Sequence, residues 1–390
     1  MNTLAQNLID SVRAAILETD PPLTENWNKI LEFAQKHDLD NFLAEIAPKI
    51  ESLSAEEREA MYNLQMTSII KDANQESEVD DIIRLFDERG INAVMLKGWY
   101  LKKLYPRRDL RTMGDTDIFI KESDQSAVHD ILLCCEYKCN STENKKDIAY
   151  TKLPFQTLEI HKNLFMYEDK WNDCFNMPDS PMYIWNRLVK LDGYGHIYRM
   201  DDELFFVYMI AHTAKHLLDD GGIGIRAFID IWIYLRNKPD LDFDIVNRDL
   251  DKLNLRKFAE NSISLSAFWF DNKPAATEIK EFGDYIIKCG VYGNSDFFVV
   301  NNEVMRDGKQ RGKWGYAWKR AFPGMESMKV RYPKLEKKPW LLPVCYSKRL
   351  LYSTTHRRNT IKREINSAGN VDYDQAHRIR EMYKNIGLQE

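Results

Sequence analysis

Hydrophobic positions recur every three to four residues through the first stretch of the chain, and that spacing predicts helices. Leu4, Leu8, Ile9, Val12 and Ile16 form one apolar stripe, closed by Pro21-Pro22. Trp27, Ile30, Leu31 and Phe33 open a second helix. Ser54 with Glu57 reads as a capping box, starting a helix through Met61, Leu64 and Ile69-Ile70. Another helix, Glu76 to Arg89, is expected to stop at Gly90, where a left-handed residue can close it. Nothing in this part carries visible chemistry, so it reads as a packing or partner-binding region.

At Ile91 the period changes. Ile91–Leu96 reads as a short apolar strand running into Lys97-Gly98, followed by a helical turn that ends near Tyr105-Pro106. A second strand covers Asp115–Ile120 and a helix Ser123–Cys134. Tyr137–Asn140, Ile148–Leu153 and Thr157–Phe165 are further candidate strands, with a polar turn from Asn140 to Lys146. From Met177 the chain is expected to be helical again. Asp201-Asp202 can cap a helix from Glu203 to Leu218 bearing His212 and His216. The glycine-bearing turn Asp219–Gly224 leads into a helix from Ile225 to Arg236 with Arg226 and Asp230, and helices continue over Ile245–Phe270 and Ala275–Cys289. Beyond them Trp314, Trp318, Phe322-Pro323-Gly324, Pro333, Pro339-Trp340 and Pro343 predict irregular segments before a last helix, Asp374–Ile386. The divisions that follow are 1–88, a helical N-terminal region; 89–170, an α/β core; 171–300, a helical domain; and 301–390, a basic C-terminal region rich in proline and aromatics.

Composition changes this picture little. The 390 residues are 44% hydrophobic and 29% charged, which suits a globular chain with a sizeable core. The net charge of -5 hides an uneven spread, because Lys and Arg dominate from Lys309 to Arg363. Such a basic segment is either a solvated face or a contact for nucleic acid, phosphates or an anionic surface. The six cysteines form no CxxC pair and have no histidine at zinc-finger spacing. No basic leader precedes an apolar stretch, and no apolar run approaches the roughly 18 residues that span a bilayer. The expectation is a cytoplasmic protein with reduced thiols and no membrane span.

The candidate chemistry lies in the second region. Residues two apart on a strand share a face, so Asp115 and Asp117 converge, as do Glu159 and His161. Like charges that close call for a proton or a hard cation between them. Two carboxylates to bridge a pair of divalent ions and a third to complete the site are what in-line nucleotidyl transfer needs. Asp115, Asp117 and Glu159 are therefore the candidate catalytic and metal-binding residues, for two Mg²⁺ or Mn²⁺ ions. Gly98 can let phosphate oxygens approach the backbone, and Lys97 and Arg111 can hold them. His161 either orients a metal-bound carboxylate, contacts the acceptor or is structural. His212 and His216, four apart, lack a further zinc ligand and fit acceptor-site or structural roles. Arg226 and Asp230, also four apart, either pair on their helix or face the cleft toward nucleotide or acceptor.

The run Leu96-Lys97-Gly98, Leu104-Tyr105-Pro106, Arg111, Gly114-Asp115-Thr116-Asp117-Ile118 and Glu159-Ile160-His161 resembles a bacterial nucleotidyltransferase family of the DNA polymerase β-like superfamily. His212, His216, Arg226 and Asp230-Ile231 match that group's spacing as well, and the likeness reaches Phe322-Pro323 and the Pro339–Arg349 stretch. The resemblance implies an α+β fold, a small mixed-sheet core of the polymerase β type embedded between helical regions. It also implies transfer of a nucleoside monophosphate from an NTP to an acceptor hydroxyl on a small molecule or sugar, a protein or an RNA end. Trp99 stands where the wider superfamily prefers Ser or Gly. The other reading of the chain is thus a catalytically inactive nucleotide-binding module or scaffold.

Overall fold

Ser54 does start a helix by a reciprocal cap. Its hydroxyl accepts from the Glu57 amide at 3.2 Å, and its own amide donates to Glu57 Oε2 at 3.0 Å. In the computed structural model that helix runs unbroken over Ala55–Glu88, where the sequence predicts two. The apolar stripe lapses around Asp72 and Gln75, but no Gly or Pro interrupts the backbone there. Both side chains are buried against polar partners: Asp72 pairs with Lys102, and Gln75 donates to the Met113 carbonyl at 3.3 Å. Burial of paired polar groups replaces the missing hydrophobic turn. The helix ends as expected at Gly90, whose φ is +68°.

The described residues are 3–22, 26–140, 147–154, 156–165, 171–219, 222–290, 313–332, 334–356 and 373–388. The polar turn expected before Lys146 and residues 220–221 of the glycine-bearing turn lie outside them. The chain divides into two units, residues 1–213 with 225–284, and residues 214–224 with 285–390.

Helices of the first unit are α1 (Thr3–Leu17), α2 (Trp27–Lys36), α3 (Asp40–Ile46), α4 (Ala55–Glu88), α5 (Lys97–Leu101), α6 (Gln125–Cys134) and α7 (Asn172–Asn176). They are followed by α8 (Asp202–Asp219), α9 (Arg226–Asn237), α10 (Phe243–Lys252), α11 (Arg256–Phe270) and α12 (Thr277–Cys289). The last turns of α8 and of α12 belong to the second unit. The strands are β1 (Ala93–Met95), β2 (Thr116–Ile120), β3 (Lys138–Cys139), β4 (Asp147–Lys152), β5 (Gln156–His161), β6 (Leu188–Lys190) and β7 (Ile197–Met200). Among the described residues they form one seven-stranded sheet in the order β3-β4-β5-β2-β1-β7-β6. It is mixed: β2 with β5 and β1 with β7 are parallel, and the other neighbours are antiparallel. The fold is α+β, as the sequence predicts.

Two expectations need correction. The chain is not purely helical after Met177, because the β6–β7 hairpin joins the sheet beside β1. Its strands are too short to show a period, and the turn Asp192-Gly193, with Gly193 at φ +84°, is the cue that marks it. The C-terminal stretch is helical rather than irregular, with helices Lys313–Ala321, Met325–Arg331, Lys334–Lys337, Leu342–His356 and Tyr373–Asn385. Pro339 and Pro343 sit in the first turns of a 3₁₀ turn and a helix, where a missing N–H costs no hydrogen bond.

Candidate active site

Strand β2 is buried at Thr116 and again from Ile118 onward, so its half-exposed second position is where a charged side chain can stand. Asp117 stands there, and Asp115 precedes the strand. The parallel register sets Asp117 beside Glu159 and Phe119 beside His161. Neighbours in register share a face, so β5 delivers Glu159 and His161 to the side that carries Asp117. One ligand atom each from Asp117, Glu159 and His161 lies within 4.8 Å of the others. His161 Nε2 is 2.7 Å from Asp117 Oδ1 and 3.7 Å from Glu159 Oε2. Carboxylates only accept, so Nε2 carries the proton and donates to Asp117. His161 is buried, and in this geometry it orients Asp117.

Burial raises the Glu159 pKa to about 7, and the charges of Asp117, Asp115 and Asp147 push it the same way. Crowding by protein atoms also raises Asp115, with Asp117 adding to it, although part of the Asp115 side chain stays exposed. Asp115, expected as a metal ligand, therefore lies within electrostatic reach of Asp117 but is not one of the three groups that converge. Two crowded carboxylates, one of them oriented by an imidazole, make a donor set that fits a divalent cation, since a positive charge there offsets the burial and the carboxylate repulsion that raise the Glu159 pKa.

Lys97 opens α5 at the end of β1. Among the described residues its ammonium takes no hydrogen bond or ion pair, and burial lowers its pKa to about 8 against the pull of Asp230 and Asp117. Gly98 is needed for packing: a Cβ there would meet Met113 Sδ at 2.8 Å and Arg111 Nη1 at 3.4 Å. Arg111, expected to face phosphates, is buried and holds Asp230 with both arms, Nε to Oδ1 at 2.8 Å and Nη2 to Oδ2 at 2.9 Å. Tyr105 donates to the same Oδ1 at 2.7 Å. Burial alone would raise the Asp230 pKa, but Arg111, Lys97 and Tyr105 together hold it below the usual range.

The helical ion pair between Arg226 and Asp230 does not form. Both project from one face of α9 onto the 105–113 segment, and each meets a partner from outside its helix. Arg226 pairs with Asp38 and donates to the Thr112 carbonyl at 3.0 Å, while the Thr112 hydroxyl bonds Asp38 Oδ2 at 2.9 Å. His212 packs its ring against Tyr208, 5.7 Å between centroids, and His216 lies one turn on in the second unit's part of α8. Among the described residues neither histidine joins a metal-ligating group. Trp99 is buried with Lys103 Nζ 3.4 Å above its ring and lines a small cavity with Thr116, whose side chain alternates with that of Asp117. The indole is thus packed away from the carboxylates.

Sequence reasoning missed Asp147, Tyr208 and Asp38. Asp147 sits opposite His161 in the β4–β5 register, on the face of Glu159, and pairing the two strands on paper would have found it. Tyr208 is buried, and its hydroxyl pKa is raised by burial and by the charge of Asp117. Asp38, at a φ of +54°, carries no local signal at all.

The sequence profile of a family described as an uncharacterised nucleotidyltransferase matches residues 24–271. The chain belongs to that family. The matched stretch runs from just before α2 to the end of α11, so the nucleotidyltransferase region contains the whole cluster together with Lys97, Arg111, Asp230 and Asp38. Membership carries the coarse activity, nucleotidyl transfer with an NTP as substrate. No curated protein and no solved structure matches the chain.

Proposed function

We propose that this nucleotidyltransferase moves a nucleoside monophosphate from an NTP to an acceptor hydroxyl and releases pyrophosphate. The observation that carries the reading is the register of β2 against β5, which sets Asp117 beside Glu159. Asp117 and Glu159, with Asp115 on the approach to the strand, would hold divalent metal, Mg²⁺ or Mn²⁺, which when bound neutralises the phosphate charge. His161 keeps Asp117 in one orientation. Lys97 offers an uncommitted cation to the triphosphate, and Arg111, through its contacts with Asp230 and Gly98, holds the Lys97-Gly98 turn in place. The acceptor oxygen attacks the α-phosphorus, the bond to the bridging oxygen of the β-phosphate breaks, and pyrophosphate leaves. Glu159, completing that donor set, would help activate the acceptor hydroxyl by taking its proton. Acceptors on a small molecule or sugar, a protein side chain or an RNA end all supply such a hydroxyl.

The test is to incubate the purified chain with each α-labelled NTP, with Mg²⁺, with Mn²⁺ or with EDTA, and with or without total RNA and cell extract. Label in RNA, protein or a small molecule, lost in EDTA, is the expected result and identifies the acceptor class. Absence of transfer together with absence of metal-dependent NTP binding would overturn the proposal.

A further inference from the structure

The second unit carries a set of exposed apolar side chains with no counterpart in the site described above. On helix Lys313–Ala321, Trp314 and Trp318 are four apart, hence on one face, and are 84% and 69% exposed. Trp340 is 72% exposed, and on helix Leu342–His356 Val344 and Leu351 are 50% and 67% exposed. Val344, Lys348 and Leu351 follow at helical spacing and form one stripe. The two helices are tied where the tryptophan stripe ends, at Phe322, four on from Trp318 and 4.7 Å from its ring. Phe322 packs on Tyr346 at 5.3 Å, Tyr346 donates to the Pro323 carbonyl at 2.7 Å, and Arg349 Nη1 donates to the carbonyls of Arg320 and Ala321. The tryptophans are thus presented to solvent by a braced pair of helices.

Charge says what such a face meets. Residues 313 to 356 hold ten Lys and Arg against two Glu, in a chain whose net charge is -5. Among the described side chains of this stretch, Lys319, Lys334, Lys337, Lys338 and Lys348 are exposed, whereas Arg320 and Arg349 are at least partly buried and Arg349 donates to backbone carbonyls. Lysine is a point charge suited to a diffuse anionic layer, while forked recognition of individual phosphates favours exposed arginine. Indole rings prefer the boundary between headgroups and acyl chains, and exposed valine and leucine gain there what a nucleic acid cannot offer them. No described helix is long and apolar enough to cross a membrane, so contact would be along its surface. We propose that this segment, through the exposed Trp314, Trp318 and Trp340 and its exposed lysines, docks the protein on an anionic lipid bilayer.

The test uses the full chain and vesicles of phosphatidylcholine with or without phosphatidylglycerol, read by co-sedimentation and tryptophan emission. Binding with a blue shift is expected on the anionic vesicles, weakening as salt rises, with little on the zwitterionic ones. The triple variant W314S/W318S/W340S should bind at least about tenfold more weakly, on the scale of a few lost interfacial anchors. The double variant Lys337→Gln with Lys338→Gln should lose about fivefold per lysine. Unchanged melting temperatures show that either loss is not unfolding. No binding to anionic vesicles by the folded wild type would overturn the proposal. So would vesicle binding that the tryptophan variant retains in full, concentration-dependent dimerisation abolished by that variant in place of lipid binding, or RNA binding that outcompetes the vesicles and is lost in the same variant.

Discussion

Glu159 is the residue whose chemistry is most exposed to test. Its pKa of about 7 in the folded chain, against 4.5 for an unperturbed glutamate, means that the native state binds the extra proton between those values. Stability of the metal-free protein therefore falls as pH rises through that window, and the loss is complete above pH 7. Glu159→Gln removes the effect: in EDTA its melting temperature should exceed that of the wild type by about 2 °C or more at pH 8, with the difference shrinking at pH 5. Equal melting at both pH values would show that neither burial nor the neighbouring carboxylates raise the Glu159 pKa. Lys97 titrates the other way in function. Its pKa of about 8 makes the ammonium disappear above that pH, so NTP affinity should weaken up to about tenfold between pH 7.5 and 9.5. In Lys97→Arg the profile should be flat, and calorimetric titration of NTP reads both. At this scale the sequence was informative for Glu159 and His161, whose shared face needed only the two-residue period of a strand, whereas Asp115, paired with Asp117 by the same rule, precedes the strand and stays outside the converging group. Tyr208 and Asp38 were illegible because each meets its partner only once distant segments have packed.

Helix α9 braces the segment ahead of Asp115 at two levels, Arg226 on Thr112 and Asp38, and Asp230 on Arg111 and Tyr105. The levels differ in energy because they differ in exposure. Asp230 is 1% exposed, and removing its charge leaves the Arg111 guanidinium buried without its counterion. Asp230→Asn should cost about 3–5 kcal/mol in denaturant unfolding. Arg226→Ala breaks a more exposed pair and should cost about 1 kcal/mol or less. Equal losses would mean that the two levels share one network. The sequence offered Arg226 and Asp230 as a pair with each other, since the helical four-residue rule sees only its own helix. The same local view split α4 at Asp72 and Gln75, where buried polar partners supply what the apolar stripe does not. Prolines misled the reading of the C-terminal stretch for the opposite reason, being counted as breakers where they begin helices.

Across the whole molecule, the family match over residues 24–271 holds the sheet, α9 and every residue to which the proposal gives a part in transfer. A strand-bearing core was legible from the switch in hydrophobic period at Ile91, and the family resemblance implied the α+β class. The strand order was not, because the parallel pairings β1–β7 and β2–β5 join segments far apart in sequence and leave no mark in either alone. Charge is also a property of the whole: the excess of Lys and Arg after residue 309 was visible at once, while its association with exposed indoles needed side-chain exposure. The measurement that bears most directly on the account is pyrophosphate release by Asp117→Asn beside the wild type, in Mn²⁺ with NTP and an acceptor-containing extract. The account predicts a fall of about 10²–10³-fold or more, with a melting temperature unchanged or raised because a repelling charge is gone. Full turnover by the folded variant would contradict it.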